Sequence, residues 1–296
     1  MKRRFARYPS ILALGLALTT TMAAFAAAAP PTSAVAGPWT LAHDASPAFS
    51  PDGNTVVFAR GSGATRRLFA AHRHDGVWSP AQRVVFSDRW MDLEPAMAPD
   101  GRYLVFISNR PANGTGKALD GDWGGQAWPG RGGNLWRVDR VGDGWGKPVR
   151  LPDSVNSSST TFSPAVASDG SVYFMRANPA DGSFRLYVSR RVHGRYQNAV
   201  ALALGTGAGR SDFDPAVAPD QSFLVFSSDR PPAPANGNDL FIAFARPGGW
   251  GAPVDLGLAG SEARLGADRT MLYYTAPDHR IHRVSLAPWL RQRSAH

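Results

Sequence analysis

The chain contains no cysteine. No disulfide can form, and lipid attachment through an N-terminal cysteine is excluded. The familiar catalytic templates are missing as well. There is no G-x-S-x-G and hence no nucleophile elbow, and no H-E-x-x-H metal helix. The close histidine pairs are His72/His74 and His279/His282; without further ligands in pattern they read as surface histidines. Basic residues are mostly arginine and scattered, with no stripe interleaved with aromatics, so nucleic acid is not an expected partner. No residue pattern calls for a cofactor or a metal. Asp120-Gly-Asp122 lacks the rest of a calcium-loop pattern.

What the chain has in quantity is glycine and proline, 31 and 24 of 296 residues, beside 43% hydrophobic residues. That combination means a large core and many turns. The first segment reads differently from the rest. Lys2, Arg3, Arg4 and Arg7 precede an apolar run from Ile11 to Ala29, followed by A-x-A sites at Ala24–Ala26 and Ala34–Ala36. This is the layout of a secretory signal peptide; an uncleaved N-terminal anchor is the alternative. Residues 1–36 are therefore assigned to a leader and 37–296 to one domain. After cleavage no stable membrane insertion is expected. An exported, disulfide-free chain suits a bacterial periplasm or secretion. Without its leader, the net charge of +9 falls to about +5.

The domain is written as a repeat. Pro47-Ala48-Phe49-Ser50-Pro51-Asp52-Gly53 recurs as Pro95–Gly101, Pro164–Gly170 and Pro215–Gln221, and in worn form as Ala263–Arg269. The intervals between these starts are 48, 69, 51 and 48 residues. Each copy continues into an apolar run: Thr55–Arg60, Tyr103–Phe106, Val172–Phe174, Phe223–Phe226 and Met271–Tyr274. Runs apolar on both faces are strands buried on both faces. Third strands follow at Leu68–Ala70, Leu135–Val138, Leu186–Val188, Leu240–Ile242 and Ile281–Val284. Aromatic residues then recur at Trp78, Trp145, Tyr196 and Trp250, and fourth strands read at Pro148–Leu151 and Pro253–Leu256. Four strands per unit of about 45–50 residues is the signature of a β-propeller blade.

The fold class is thus all-β, a propeller of four-stranded antiparallel blades. Five blades fit the five copies; six would need a blade the repeat does not show. The last copy lacks a fourth strand. Pro38-Trp39-Thr40-Leu41 is expected to supply it from the N-terminus and close the ring, with Leu286–Leu290 as a rival.

The S-P-x-x-S-P-D-G/V-V-F core, the continuations Ser108–Pro111 and Ser228–Pro231, and the D-L-F…G-W-x-x-P-V-x-L half at Asp239–Leu256 resemble the WD40-like periplasmic repeat (PD40) of TolB-like proteins. The resemblance covers nearly the whole domain. It implies that the first strand of each blade lines a central channel. The loops leading into that strand and leaving the second strand then open on one face. Proteins of this kind serve as interaction platforms of the cell envelope, as gates of serine peptidases, and in some cases as lyases. TolB's separate N-terminal α/β domain has no counterpart in the sequence.

On that geometry, Asp44, Asp92, Glu94, Asp212, Asp214 and Glu262 form an acidic ring beside Arg60, Arg110, Arg176 and Arg230. They are either ion pairs between neighbouring blades or a polar funnel that recognises a ligand. The long interval places an insertion at 111–133 on the same face. Its Trp123 and Trp128, with Asp120, Asp122 and Arg131, are either a sugar- or partner-binding surface or a loose loop with local packing. Two functions remain. One is a non-enzymatic platform for an envelope protein, peptide or glycan. The other is a carbohydrate-active enzyme, glycoside hydrolase or lyase, using two of the carboxylates as acid and base.

Overall fold

In the computed structural model, residues 32–235 and 237–292 are described. The leader's basic start and apolar run lie outside them. The chain is all-β and forms five blades. Each first strand carries the repeat's proline or its equivalent: Ala45–Phe49, Asp92–Met97, Thr161–Val166, Asp212–Val217 and Ser261–Leu265. These five strands neighbour one another in a closed ring around the axis.

The second strands, Thr55–Arg60, Tyr103–Ser108, Val172–Ala177, Phe223–Ser228 and Met271–Thr275, form the middle of each sheet. Phe58, Phe106, Phe174 and Phe226 are completely buried there. Each fully buried side chain of this size contributes about 1.5–3 kcal/mol, so the middle strands are the main source of stability in a chain with no disulfide. The recurrent aromatics reach across seams: Trp145 stands edge-on to Phe86 of the preceding blade, and Trp250 to Tyr173.

The Pro-Asp-Gly turns have a clear cause. In every copy the aspartate accepts the amide two residues on: Asp52 from Asn54, Asp100 from Arg102, Asp169 from Ser171, Asp220 from Ser222 and Asp268 from Thr270. The intervening residue takes a left-handed conformation. Glycine supplies it at 53, 101 and 170, whereas Gln221 and Arg269 adopt it at φ 59° and 60°. The worn copies therefore keep the turn and bear its strain.

The ring closes with an N-terminal strand, but not the expected one. Ser33–Ala34 pairs antiparallel with Ile281–Ser285, and Val35 donates to the Ile281 carbonyl. Pro38–Leu41 is not a strand. Trp39 instead packs edge-on against Phe49, Phe58 and Tyr273, at the seam of the first and last blades. The rival segment is also not a strand; Ala287–Gln292 is a short helix. Blade five thus draws on residues within the stretch assigned to the leader.

The insertion is ordered around a hairpin, Gly121–Trp123 with Gln126–Trp128. Gly124 N–H donates to the Gly182 carbonyl on blade three, and a Cβ on Gly182 would lie 2.6 Å from that amide nitrogen. Gly182 also has φ 69°, so only glycine lets the hairpin tip approach this closely.

Cleavage after Ala26 keeps the closing strand, whereas cleavage after Ala36 removes it. A chain starting at Ala27 is expected to melt about 4 °C or more above one starting at Gly37. Equal midpoints in thermal denaturation would show that Ser33–Val35 is dispensable.

Candidate functional site

The acidic ring resolves into two layers with different fates. The outer layer is Asp44, Asp92 and Asp212, all buried. Each is held by an arginine of its own blade, not of a neighbour. Arg60 Nε and Nη2 reach the two Asp44 oxygens at 2.8 and 2.7 Å. Arg110 Nη2 spans both oxygens of Asp92 at 2.9 and 2.8 Å, and Arg230 Nη2 those of Asp212 at 2.6 and 2.8 Å. Inter-blade pairing through these residues is thereby corrected. Strand register explains it, because Asp92 and Asp212 stand opposite Ser108 and Ser228, whose hydroxyls accept the same arginines' Nε. Burial pushes the Asp92 carboxyl above its ordinary range, and Arg110 pulls against it.

Each guanidinium also lies over two rings contributed by the second and third strands. Arg60 covers Phe58 and Phe69, Arg110 covers Phe106 and Trp136, and Arg230 covers Phe226 and Phe241, all within 5.5 Å. An arginine so placed is desolvated on its faces and needs an anion at its edge.

The inner layer consists of Ser46, Glu94, Ser163, Asp214 and Glu262. All five have left-handed backbone, φ 49–56°, at a β-bulge in the first strand of their blade. A non-glycine residue held there costs on the order of 1 kcal/mol or more, yet the feature recurs in every blade. The bulges bring the side chains together. Glu94 Oε2 accepts the Ser163 amide at 2.8 Å, Ser163 Oγ donates to Asp214 at 2.9 Å, and Asp214 accepts the Glu262 amide at 2.8 Å. Glu262 accepts from Thr275 Oγ1 at 2.6 Å and lies 3.9 Å from Arg66. Arg264 Nη2 donates to Ser163 Oγ at 3.2 Å. Beyond this layer the ring of prolines leaves about 50 Å³ of open channel.

Glu94 is pushed up to about 8, chiefly by burial and then by the Asp214 charge, against the pull of Arg264. It therefore holds a proton at neutral pH. Ser46 Oγ, Arg66 Nε and Arg264 Nε are buried without a hydrogen-bond partner among the described residues.

The insertion's tryptophans stack on each other, centroids 5.3 Å apart and planes 12° apart, and Trp123 stands edge-on to Phe162 of blade three. Asp120 is occupied by Lys117 Nζ and the Gly130 amide. The hairpin overhangs a cavity of about 790 Å³. Asp122 and Gly125 come from the hairpin, Ser157–Thr160 from the loop into blade three, Arg176 and Ala177 from the end of its second strand, and Asn178–Gly182 from the loop that follows. Of the expected ligand-binding residues, none of the six ring carboxylates lines this cavity. Sequence reasoning grouped Arg176 with its paired counterparts and passed over Ser157–Thr160. The signal was present: where three copies have aspartate two residues before the bulge, this copy has Thr161.

No protein-family model matches the chain, and no curated protein matches its sequence. The fold has solved counterparts. A BT0996–RGII complex superimposes with TM-score 0.56 at 13% identity, over 87% of this chain and 91% of the other. A thermostable family-43 glycoside hydrolase gives 0.51 at 12% identity, over 82% and 88%. TolB from Acinetobacter baumannii gives 0.42 at 15% identity; the match takes in 81% of this chain and 43% of TolB's length. The chain is similar to the first two in fold. No helix among the described residues is long and apolar enough to cross a membrane.

Because unfolded Glu94 loses its proton near pH 4.5 and folded Glu94 near 8, the folded state keeps an extra proton between them. Its contribution is full below that window and is lost as pH rises through it, by up to about 1.4 kcal/mol per pH unit. Urea unfolding from pH 5 to 8 is expected to show Glu94→Gln declining less steeply than wild type. Parallel curves would mean that Glu94 is ionised in the fold.

Proposed function

We propose that this chain is an exported, non-enzymatic β-propeller that binds a glycan or peptide of the bacterial cell envelope on the face carrying the insertion. The observation that carries this reading is the occupation of the ring carboxylates. Asp44, Asp92 and Asp212 each neutralise an arginine, Glu94 and Asp214 are engaged with backbone amides and a hydroxyl of neighbouring blades, and Glu262 accepts the Thr275 hydroxyl of its own blade. All but Glu262 are buried, and each has a partner among the described residues. The cavity beside the insertion, by contrast, falls within the roughly 300–1,000 Å³ typical of ligand pockets.

The enzyme alternative has one observation in its favour. Glu94, protonated near neutrality, shares Ser163 with Asp214, and a neutral and a charged carboxyl side by side is how acid and base roles are divided. Space weighs against it. Both side chains are buried, and neither lines the axial channel or the cavity beside the insertion. The likeness to a glycoside hydrolase extends to the fold.

Export is supported by the basic start and apolar run of residues 1–29 and by the absence of cysteine. An envelope location fits the PD40-like motifs.

The test is an array of envelope glycans and peptides probed with the purified chain and with Trp123→Ala/Trp128→Ala, with the retained ligands then assayed for turnover. The expected result is binding without turnover, weakened tenfold or more in the variant, whose hairpin loses its anchor on blade three. Cleavage of a bound glycan, abolished by Glu94→Gln, would replace this reading with the enzymatic one.

A further inference from the structure

Arg176 is the one arginine of its kind without a carboxylate among the described residues. It occupies the same stacked position as Arg60, Arg110 and Arg230, with its guanidinium 5.1 Å from the Phe174 ring and 4.7 Å from the Tyr187 ring. Its strand register matches that of Arg60. Arg176 stands directly opposite Thr161; in blade one Ala45 stands opposite Ala59, and the next residue on each strand is Asp44 and Arg60, which pair. Thr161 is fully buried and turns its hydroxyl to the Ser158 carbonyl. Among the described residues Arg176 makes one hydrogen bond, Nη2 to the Val155 carbonyl at 2.6 Å, and its buried Nε has no partner. A stacked, desolvated guanidinium with an unsatisfied edge is a costly arrangement unless an anion completes it. Burial accordingly pulls Arg176 below the usual arginine range.

The arginine whose partner is missing is also the one that lines the 790 Å³ cavity. The other lining groups are those that a polyhydroxylated molecule would meet. Hydroxyls come from Ser157, Ser158 and Thr160, and an aromatic edge from Tyr187. Asp122 is exposed on the hairpin, while Asp181 is engaged with Ser183 and Arg185. A carboxylate such as Asp122 accepts from ligand hydroxyls but repels a second anionic group. The cavity is thus cationic at one end and hydrogen-bonding elsewhere.

We propose that Arg176 is an anion-recognition residue, and that the cavity binds a small polyhydroxylated acid whose carboxylate takes the place that Asp44, Asp92 and Asp212 take in the other blades. The assignment deepens the binding reading above and rests on it. The carboxylate is favoured because the three equivalent arginines, each over two rings, all receive one at the guanidinium edge. Nothing covalent is involved. The ligand enters as its anion and leaves unchanged.

The experiment is calorimetric titration of the purified chain with glucuronate, glucose, acetate and inorganic phosphate, repeated on Arg176→Met and Thr161→Asp. Wild type is expected to bind glucuronate at least tenfold more tightly than glucose or acetate, and Arg176→Met to lose that preference. Thr161→Asp supplies the missing carboxylate from within. It is expected to abolish glucuronate binding and raise the melting temperature by about 2–4 °C, a gain that a merely damaged fold would not show. Equal binding of glucose and glucuronate, unaltered affinity in either variant, or binding of phosphate alone would overturn the assignment. An array ligand retained equally by wild type and Arg176→Met would sink the anion site while leaving the binding platform intact.

Discussion

The molecule depends on a charge held over two rings. In blades one, two and four a guanidinium is stacked on a cross-strand aromatic pair and closed at its edge by an aspartate at the head of the first strand. The pair ties the innermost strand to the middle strand at the end where the blade opens onto the face that carries the insertion. It is an internal clasp, and it explains why acidic and basic residues recur at fixed places in a chain that is only 19% charged. Buried pairs of this sort add little net stability over a well-packed apolar pair, but removing one member leaves the other stranded at a cost of about 3–5 kcal/mol. The aspartate and the arginine are therefore fixed jointly, and a blade with only one of them stands out.

The inner layer obeys a second constraint. Alternation along a strand would put Asp92 and Glu94, or Asp212 and Asp214, on one face. The bulge between them breaks that rule. It leaves the first residue to its arginine and swings the second toward the axis, where Glu94, Ser163, Asp214 and Glu262 link blades two to five. The carboxylates outnumber the arginines near them, and Glu94 relieves the excess by keeping its proton.

Much of this was legible in the residues. The five copies, their strands and the N-terminal closure could be read because turn chemistry and apolar runs are local. The Asp-Gly turns survive even where Gln221 and Arg269 replace glycine, because the aspartate's bond to the following amide is itself local. What could not be read depends on register. Pro38–Leu41 resembles a fourth strand by its apolar content, but Trp39 fills a seam and Ser33–Ala34 makes the pairing. The acid–arginine pairs were foreseeable as pairs, but whether they lie within or between blades is decided by which residues stand opposite across a strand. The insertion's tryptophans, legible as a surface, turn out to anchor the hairpin on blade three. Arg176 was hidden by its likeness to the other arginines; only the threonine opposite it marks the difference.

Of the four stacked arginines, Arg176 alone lacks a carboxylate among the described residues, and we infer that its clasp is left open for a ligand. A crystal structure of the chain soaked in iodide, with anomalous scattering used to place the anions, tests it most directly. An iodide is expected against the edge of Arg176 in the cavity beside the insertion, and none at Arg60, Arg110 or Arg230. A guanidinium of Arg176 closed by a protein carboxylate, or iodide spread equally over all four arginines, would contradict it.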